Sequence, residues 1–327
     1  MDFVISQEHD GKSVLFFLRS VAKISAGAIS QLKRTEMGIC VNGSHVTVRY
    51  ILQKDAVLSI KILDNGDNIS ENIIPTRLPI SIVYEDEHIM AVNKPANMPT
   101  HPSHKHFIDT LGNAVAYVYS ERGVPFTFRP LGRLDANTSG LVILSKSRAV
   151  ASFYFGEAQK NKISKHYIAI LDGEMQEPTF KESGKFYMID KPIKRENDSI
   201  ITRCVCSPDD EGAQNAKTVY RILYSGGGIT VVDASPITGR THQLRVHFAS
   251  IGFPLVNDCF YGKLTCGDRH LLHAISLDLS KPFSEERMLL VASPPKDILD
   301  LIESRCLKTL DEMLQGIDLS ENLSEIF

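Results

Sequence analysis

The sequence predicts an α+β fold, in which a mixed and mainly antiparallel sheet is flanked by helices. Two observations favour it. Short apolar, β-branched runs bounded by turn residues recur along the chain, as expected of strands. Helical periods lie between these runs without a strict strand–helix–strand rhythm, which disfavours a doubly wound parallel sheet. With 327 residues, 43% of them hydrophobic and 23% charged, the chain can bury a core.

Residues 1–63 are predicted to form a small α/β domain with a basic surface. Apolar residues at helical spacing predict two helices between residues 13 and 35. The dipeptide Asn42-Gly43 between short β-branched positions predicts a β-hairpin. Between residues 12 and 61, eight lysines and arginines accompany two acidic residues. This bias is typical of an RNA-binding domain, although a basic domain that binds nothing would also show it.

A larger domain is predicted over residues 80–296, with a helix over residues 107–119 and a second helix that Ser147 caps. The residues before it, 64–79, are polar and contain glycine and proline, as expected of a linker. Residues 297–327 form an acidic tail, and the spacing of its apolar residues predicts one or two amphipathic helices. The tail could pack on the larger domain, bind a partner, or repel RNA from one face. The sequence leaves these three roles open.

Several classes of protein are disfavoured by composition. The N-terminus lacks a secretory pattern, and no apolar run approaches the roughly 18 residues of a membrane span. The six cysteines form no CxxC pair, which favours free thiols in a reducing cytoplasm. His101, His104 and His106 lack further ligands at a fixed spacing, so no metal site is expected. We therefore expect a cytoplasmic protein without metal or membrane contact.

The segment best suited to chemistry is RLDANTSGLVIL, residues 133–144, where a polar loop leads into an apolar strand. Such a loop can expose a reactive group and hold it still. A cation such as Arg133 favours the ionised form of a neighbouring carboxylate such as Asp135, which can then act as nucleophile or base. The alternative is structural, with Asp135 capping a turn through Thr138 and Ser139.

This segment resembles the central motif of the RluA-type RNA pseudouridine synthases. Three further stretches resemble that family's other motifs in the same order. They are AVNKPANMPTHP (91–102), KHYIAILDG (165–173), and TGRTHQLRVHFASIGFPLVNDCFYG (238–262) with the following LLHAISLDLSKP (271–282). Gly132 departs from the histidine that the family often carries, which puts any carry-over of its target RNA in doubt. Asn97-Met98-Pro99 stands where glycine is usual, so that loop is expected to differ in shape.

The resemblance implies an enzyme that isomerises uridine in RNA without a cofactor. Asp135 matches the catalytic aspartate, as nucleophile or as base, and Tyr167 matches the tyrosine of the uracil pocket. Arg245 matches the arginine that pairs with the catalytic carboxylate. Arg133 matches the arginine that fills the RNA stack after the target base swings out. Lys94 could contact an RNA phosphate or only shape its turn, and we carry it as an RNA-binding residue.

The sequence around Arg245 is consistent with that pairing. Thr241 is expected to cap a helix that Gly252 ends, and the position beside Leu244 places Arg245 near the core edge. A buried arginine needs a carboxylate partner, for which Asp135 is the candidate.

The stretch LKRTEMGICVNGSHVTVRYILQKDAVLSI resembles the small RNA-binding domain found in a ribosomal small-subunit protein and in many RNA-modifying enzymes. It implies RNA binding that includes Lys33 and Arg34, at the end of the second predicted helix. It favours ribosomal RNA over transfer RNA as the substrate. The protein is expected to act as a monomer. The rival hypotheses are a non-catalytic RNA-binding or ribosome-assembly factor on the same fold, and a carboxylate hydrolase. The hydrolase would need a second acid or a metal cluster near Asp135.

Overall fold

The computed structural model describes residues 2–22, 24, 26–61, 73–176, 182–183, 186–197, 199–262, 269–284 and 286–326. Within them the protein forms two separate sheets and a short two-stranded ribbon. Most of the predicted linker 64–79 lies outside the described residues, so the predicted domain boundaries stay predictions. Over the same described ranges, no helix combines the length and the apolarity that crossing a membrane requires.

Four short strands form the N-terminal sheet: β1 (Asp2–Val4), β2 (Ile39–Val41), β3 (Ser44–His45) and β4 (Val57–Ile60). They pair antiparallel in the order β1-β4-β2-β3. The sheet packs against a 3₁₀ turn and helices, which are Gln7–His9, α1 (Val14–Phe16) with its π-helical continuation Phe17–Val21, and α2 (Ala26–Leu32). The hairpin predicted at Asn42-Gly43 is confirmed, since both residues have positive φ, 48° and 79°.

Ten strands form the large sheet: β5 (Ser81–Glu85), β6 (Ile89–Lys94), β7 (Ser139–Ser145), β8 (Ser164–Asp172), β9 (Glu182–Ser183), β10 (Phe186–Asp190), β13 (Lys217–Gly226), β14 (Ile229–Pro236), β15 (Leu272–Ser280) and β16 (Arg287–Val291). Their order is β5-β6-β7-β15-β8-β14-β13-β10-β9, and β16 pairs with β15. The separate ribbon consists of β11 (Ile193–Arg195) and β12 (Arg203–Val205). Among the described strands only β7 and β15 pair in parallel, which confirms the predicted mixed, mainly antiparallel sheet.

The parallel pairing of β7 with β15 depends on Gly140. Its φ is +116°, and a Cβ atom there would lie 2.3 Å from the carbonyl oxygen of Ala274 in β15. A side chain would therefore push the strands apart, so only glycine fits. Because Gly140 follows Asp135 closely in sequence, this contact also fixes where the loop before β7 ends.

Five helices accompany the large sheet: α3 (Leu111–Glu121), α4 (Arg148–Gln159), α5 (Gln243–Ser250), α6 (Lys296–Arg305) and α7 (Leu310–Leu314), followed by a 3₁₀ turn, Leu323–Glu325. Helix α4 begins as predicted, because Ser147 Oγ accepts the N–H of Val150. Helix α3 begins later than the predicted residue 107, because Thr110 forms its N-terminal capping box. The predicted cap at Thr241 is wrong. His242 occupies the N-cap position with φ 58° and makes no side-chain cap.

The acidic tail packs against the large sheet. Ile298 and Ile302 of α6, together with Leu310 and Met313 of α7, are buried in one apolar cluster with Ile168 of β8. The predicted amphipathic helices are therefore confirmed. Of the three roles that the sequence left open, the structure shows packing on the large sheet.

Candidate active site

A cavity of about 690 Å³ opens beside the N-terminal end of β7. Its walls include the loop before β7, strand β8 and the start of α5. Asp135 and Arg133 lie on the loop, Tyr167 lies on β8, and Arg245 lies on α5. All four line the cavity, so the structure brings together residues that are far apart in the sequence.

The loop that carries Asp135 is held by a hydrogen bond within it and by hydrogen bonds to residues outside it. Thr138 N–H donates to the carbonyl of Asp135 (3.1 Å), and Arg269 Nη1 donates to the carbonyl of Asn137 (3.3 Å). Thr138 Oγ1 lies 2.8 Å from Nε2 of the buried His270. The Asp135 side chain itself keeps 29% of its surface exposed. The loop is thus fixed by buried partners while the carboxylate remains accessible from the cavity.

Lys94 is fully buried, so the prediction that it binds RNA does not fit the structure. Its Nζ donates to the carbonyls of Pro95 (2.9 Å), Met98 (2.8 Å) and Ala136 (3.1 Å). Three acceptors match the three N–H bonds of an ammonium group. Burial lowers the pKa of Lys94 to about 7, and the negative charge of Asp135 opposes this change. The side chain shapes its turn and the loop that carries Asp135, which is the other option that the sequence left open.

Arg245 has two carboxylate partners, and the sequence predicts only the weaker one. Its Nε and Nη2 donate to the two oxygens of the buried Asp258, each at 2.8 Å. Its Nη1 lies 3.4 Å from Asp135 Oδ2, which is a longer contact. Burial lowers the pKa of Arg245, but the hydrogen bond and charge of Asp258 outweigh it and hold the pKa above its ordinary value. The arginine is therefore anchored by Asp258 and extends one nitrogen toward Asp135.

Tyr167 lies in the centre of the large sheet. It pairs with Ala234 of β14 and with Ala274 of β15, whose small side chains leave the ring free to line the cavity. Burial, and then the negative charge of Asp135, raise the pKa of Tyr167. The phenol therefore stays protonated at neutral pH, and it can donate a hydrogen bond or pack against a planar ring.

The other predicted RNA-binding side chains lie in two places. Arg133 is exposed at the cavity, where it can reach an RNA that lies over the opening. Lys33 and Arg34 are exposed in the turn after α2 and do not line the cavity. Contact of these two residues with RNA would therefore lie away from the target base.

Three residues at the site are absent from the sequence prediction. Asp258 could have been found, because it is the acid within the third motif and a buried arginine needs a partner. His242 belongs to the same motif, and its Nε2 lies 3.8 Å from Asp135 Oδ2. Lys165 also lines the cavity, and burial lowers its pKa. In the part of the chain that the structure describes, no group of three or more His, Cys, Asp or Glu residues could hold a metal.

Comparison with known proteins gives consistent matches. The family model described as RNA pseudouridylate synthase matches residues 88–250. The uncharacterized RNA pseudouridine synthase YjbO of Bacillus subtilis is 34% identical over 283 residues, which cover 86% of this chain and 95% of the relative. Ribosomal large subunit pseudouridine synthase D of Blochmanniella floridana is 32% identical and covers 75% of this chain and 79% of its own.

A mitochondrial tRNA pseudouridine(32) synthase of Saccharomyces cerevisiae is 31% identical, over 61% of this chain and 42% of its own length. Among solved structures, human RNA pseudouridylate synthase domain containing 1 superposes with a TM-score of 0.56 at 26% identity. That superposition covers 73% of this chain and 94% of the human one.

Proposed function

Since the chain belongs to the RNA pseudouridylate synthase family and is an enzyme that isomerises uridine to pseudouridine in RNA, we propose that Asp135 is its catalytic carboxylate. The observation that carries the proposal is the placement of Asp135 in the cavity, on a fixed loop and 3.4 Å from Arg245 Nη1. A carboxylate so placed is accessible to a flipped nucleotide and is oriented by a cation.

The reaction breaks the bond between ribose C1′ and uracil N1, the base rotates, and C5 forms the new bond to C1′. C5 then loses its proton while N1 takes one up, so the product is an isomer of uridine. Asp135 acts on the sugar as nucleophile or as base. Tyr167 packs on the uracil and offers its phenol for hydrogen bonding, while Arg245 holds Asp135 in place. Arg133 enters the RNA stack that the flipped uridine leaves. None of these roles requires a cofactor or a metal.

The proposed substrate is a structured ribosomal RNA, modified by a cytoplasmic enzyme that acts as a monomer. Two lines support this proposal. Several relatives are named ribosomal large subunit pseudouridine synthases, and the N-terminal unit carries exposed cations such as Lys33 and Arg34. Transfer RNA is the second candidate, because the yeast relative is named a tRNA synthase.

The proposal is tested by release of tritium from RNA that is labelled at C5 of uridine. The substrate is a total RNA pool that lacks the modification made by this enzyme, and separated ribosomal and transfer RNA are assayed in parallel. Native protein is expected to release tritium from the ribosomal pool, and Asp135→Asn to release none while still binding RNA. Asp300→Asn, a change at an exposed position on α6, is the matched control and is expected to be fully active.

Three outcomes would change the proposal. Turnover by Asp135→Asn would remove Asp135 from the chemistry. Release from the transfer RNA pool alone would replace the proposed substrate. RNA binding by the native protein without release from either pool would favour the non-catalytic RNA-binding hypothesis.

A further inference from the structure

His242 lies at the cavity in an unusual backbone conformation. It is the N-cap residue of α5, with φ 58° and ψ 18°, in the left-handed region that few non-glycine residues adopt. The side chain is only 10% exposed. Its ring is stacked on Phe260, with 6.1 Å between the centroids and 15° between the planes. The backbone turn and the stacking together direct the imidazole toward Asp135.

The contacts of Tyr261 favour one of the two ring nitrogens of His242 as the carrier of the proton. The backbone N–H of Arg203 donates to Tyr261 Oη at 2.9 Å, and Tyr261 Oη lies 2.8 Å from His242 Nδ1. Among the contacts of the described residues, Nδ1 is the acceptor within hydrogen-bonding distance of the Tyr261 hydroxyl, which is consistent with donation of the phenol O–H to Nδ1. A neutral imidazole whose Nδ1 accepts must carry its proton on Nε2.

The Nε2–H group of His242 has no acceptor at hydrogen-bonding distance among the contacts of the described residues. Its nearest acidic atom is Asp135 Oδ2 at 3.8 Å, which is beyond the range of a hydrogen bond. The donor therefore faces the cavity directly beside the proposed catalytic carboxylate. A nucleotide whose sugar lies against Asp135 would bring its base oxygens close to this donor.

The imidazole of His242 is neutral because it is buried. Burial lowers the pKa of His242 below its ordinary value. Arg245 of α5 and Arg203 of β12 act in the same direction, whereas Asp135 and Asp258 oppose it. At neutral pH the ring is consequently a neutral hydrogen-bond donor. It does not form an ion pair with Asp135, so the carboxylate stays available to the substrate.

We propose that His242 is a substrate-binding residue, whose Nε2–H donates a hydrogen bond to a carbonyl oxygen of the target uracil. The base carries negative charge on its carbonyl oxygens once it is detached from C1′. A fixed donor there stabilises the detached base and restrains its rotation. The proposal rests on Asp135 as the catalytic carboxylate, since that residue places the nucleotide.

The test uses His242→Asn in the full-length chain. Asparagine tolerates the left-handed backbone, and its amide can keep the contact with Tyr261, but it cannot reach the position of Nε2. We expect kcat for tritium release to fall roughly 10- to 100-fold, with little change in KM, in RNA affinity or in Tm. A purely structural role would instead lower Tm or raise KM and leave kcat unchanged.

A substrate change probes the contact itself. A short RNA containing the mapped site is made with uridine, 4-thiouridine or 2-thiouridine at the target, because a thiocarbonyl is a weaker acceptor. Native enzyme is expected to slow with one of the two thio-substrates, and His242→Asn to be insensitive to that same change. Equal sensitivity of both proteins to both thio-substrates would overturn the contact.

The pH profile adds an independent readout. If the neutral ring is the active form, kcat of the native enzyme is level near neutral pH and falls on the acid side as His242 is protonated. Tyr261→Phe removes the donor that fixes the tautomer and is expected to lower kcat, again without loss of RNA binding. Normal kcat in His242→Asn while Asp135→Asn is inactive would overturn this inference alone. Turnover by Asp135→Asn would overturn the proposal that Asp135 is the catalytic carboxylate, on which the role of His242 rests.

Discussion

Two buried basic side chains hold the loop that carries Asp135, and each does so through a hydrogen bond to a backbone carbonyl. Lys94 Nζ binds the carbonyl of Ala136, next to Asp135. Arg269 donates to the carbonyl of the next residue, Asn137. A buried cation that lost its acceptors would be costly, so these contacts strongly favour one loop conformation.

Replacement of Lys94 by methionine tests its role in the loop. The variant removes the Nζ donor from the carbonyls of Pro95, Met98 and Ala136, of which Ala136 keeps the backbone N–H of Met98. We expect the free energy of unfolding in urea to fall by about 3 kcal/mol and kcat to fall with it, since an unsatisfied buried acceptor costs about 1–3 kcal/mol. Lys308→Met, at an exposed position, is the control. Equal stability of the two variants would show that Lys94 is dispensable for the loop.

Asp258→Asn tests which carboxylate anchors Arg245. The change removes the negative charge that receives both 2.8 Å hydrogen bonds of the guanidinium. We expect a loss of stability of about 3 kcal/mol, because a buried cation loses its main partner. We also expect kcat to decrease at least tenfold, as Arg245 shifts toward Asp135. If unfolding and turnover match those of Asp300→Asn, the 3.4 Å contact with Asp135 suffices to hold the arginine.

At the scale of elements, the sequence predicts well those features that depend on neighbouring residues. The hairpin at Asn42-Gly43 and the helix start at Ser147 follow from turn and capping chemistry. The start of α5 does not, because the left-handed backbone of His242 depends on tertiary contacts with residues distant in the chain. The partner of Arg245 is missed for the same reason, since Asp258 reaches it from a different loop.

The tail helix α6 is linked to the active-site loop by Asp297. Its carboxylate accepts two hydrogen bonds from Arg269, at 2.6 and 2.8 Å, and Arg269 also donates to the carbonyl of Asn137. Asp297→Asn is expected to weaken this link and to lower kcat several-fold without changing the cavity residues. RNA affinity, measured separately, is expected to stay constant.

The same pair makes stability depend on pH. The hydrogen bond and charge of Arg269 lower the pKa of Asp297 below its ordinary 3.8. A lowered pKa adds stability above the unfolded value, and this stability is lost as the pH falls through the folded value. We therefore expect the difference in free energy of unfolding between the native protein and Asp297→Asn, measured in urea, to decrease as the pH is lowered from about 6 to about 3. A constant difference across this range would contradict the assignment.

At the scale of the whole molecule, a small basic unit accompanies the large sheet that carries the cavity. Phe283 packs against the buried residues of both units. Deletion of residues 1–63 would therefore expose part of the core of the large unit as well. Point changes on the small unit are the cleaner test of whether it binds RNA.

Lys33→Ala combined with Arg34→Ala removes two exposed cations while leaving the apolar core of the small unit in place. We expect weaker RNA binding. The slope of log Kd against the logarithm of the salt concentration is expected to become shallower by up to about 2, because each lost phosphate contact releases about one counterion fewer. At saturating RNA, kcat is expected to match the native value, since neither residue lines the cavity. A binding curve with unchanged salt dependence would place the RNA elsewhere.

The order of strands in the large sheet also determines when the active site can form during translation. Strand β15 lies between β7 and β8, yet translation reaches it only after β8, β13, β14 and α5 have been made. Until then β7 and β8 have no strand between them, so nothing in the sheet holds Asp135 and Tyr167 at a fixed distance from each other. Contacts so distant in sequence form slowly and leave strand edges open in the nascent chain. The active site therefore assembles as one of the last events of synthesis, and a chain stalled before residue 272 would carry every proposed catalytic residue without a site to hold them.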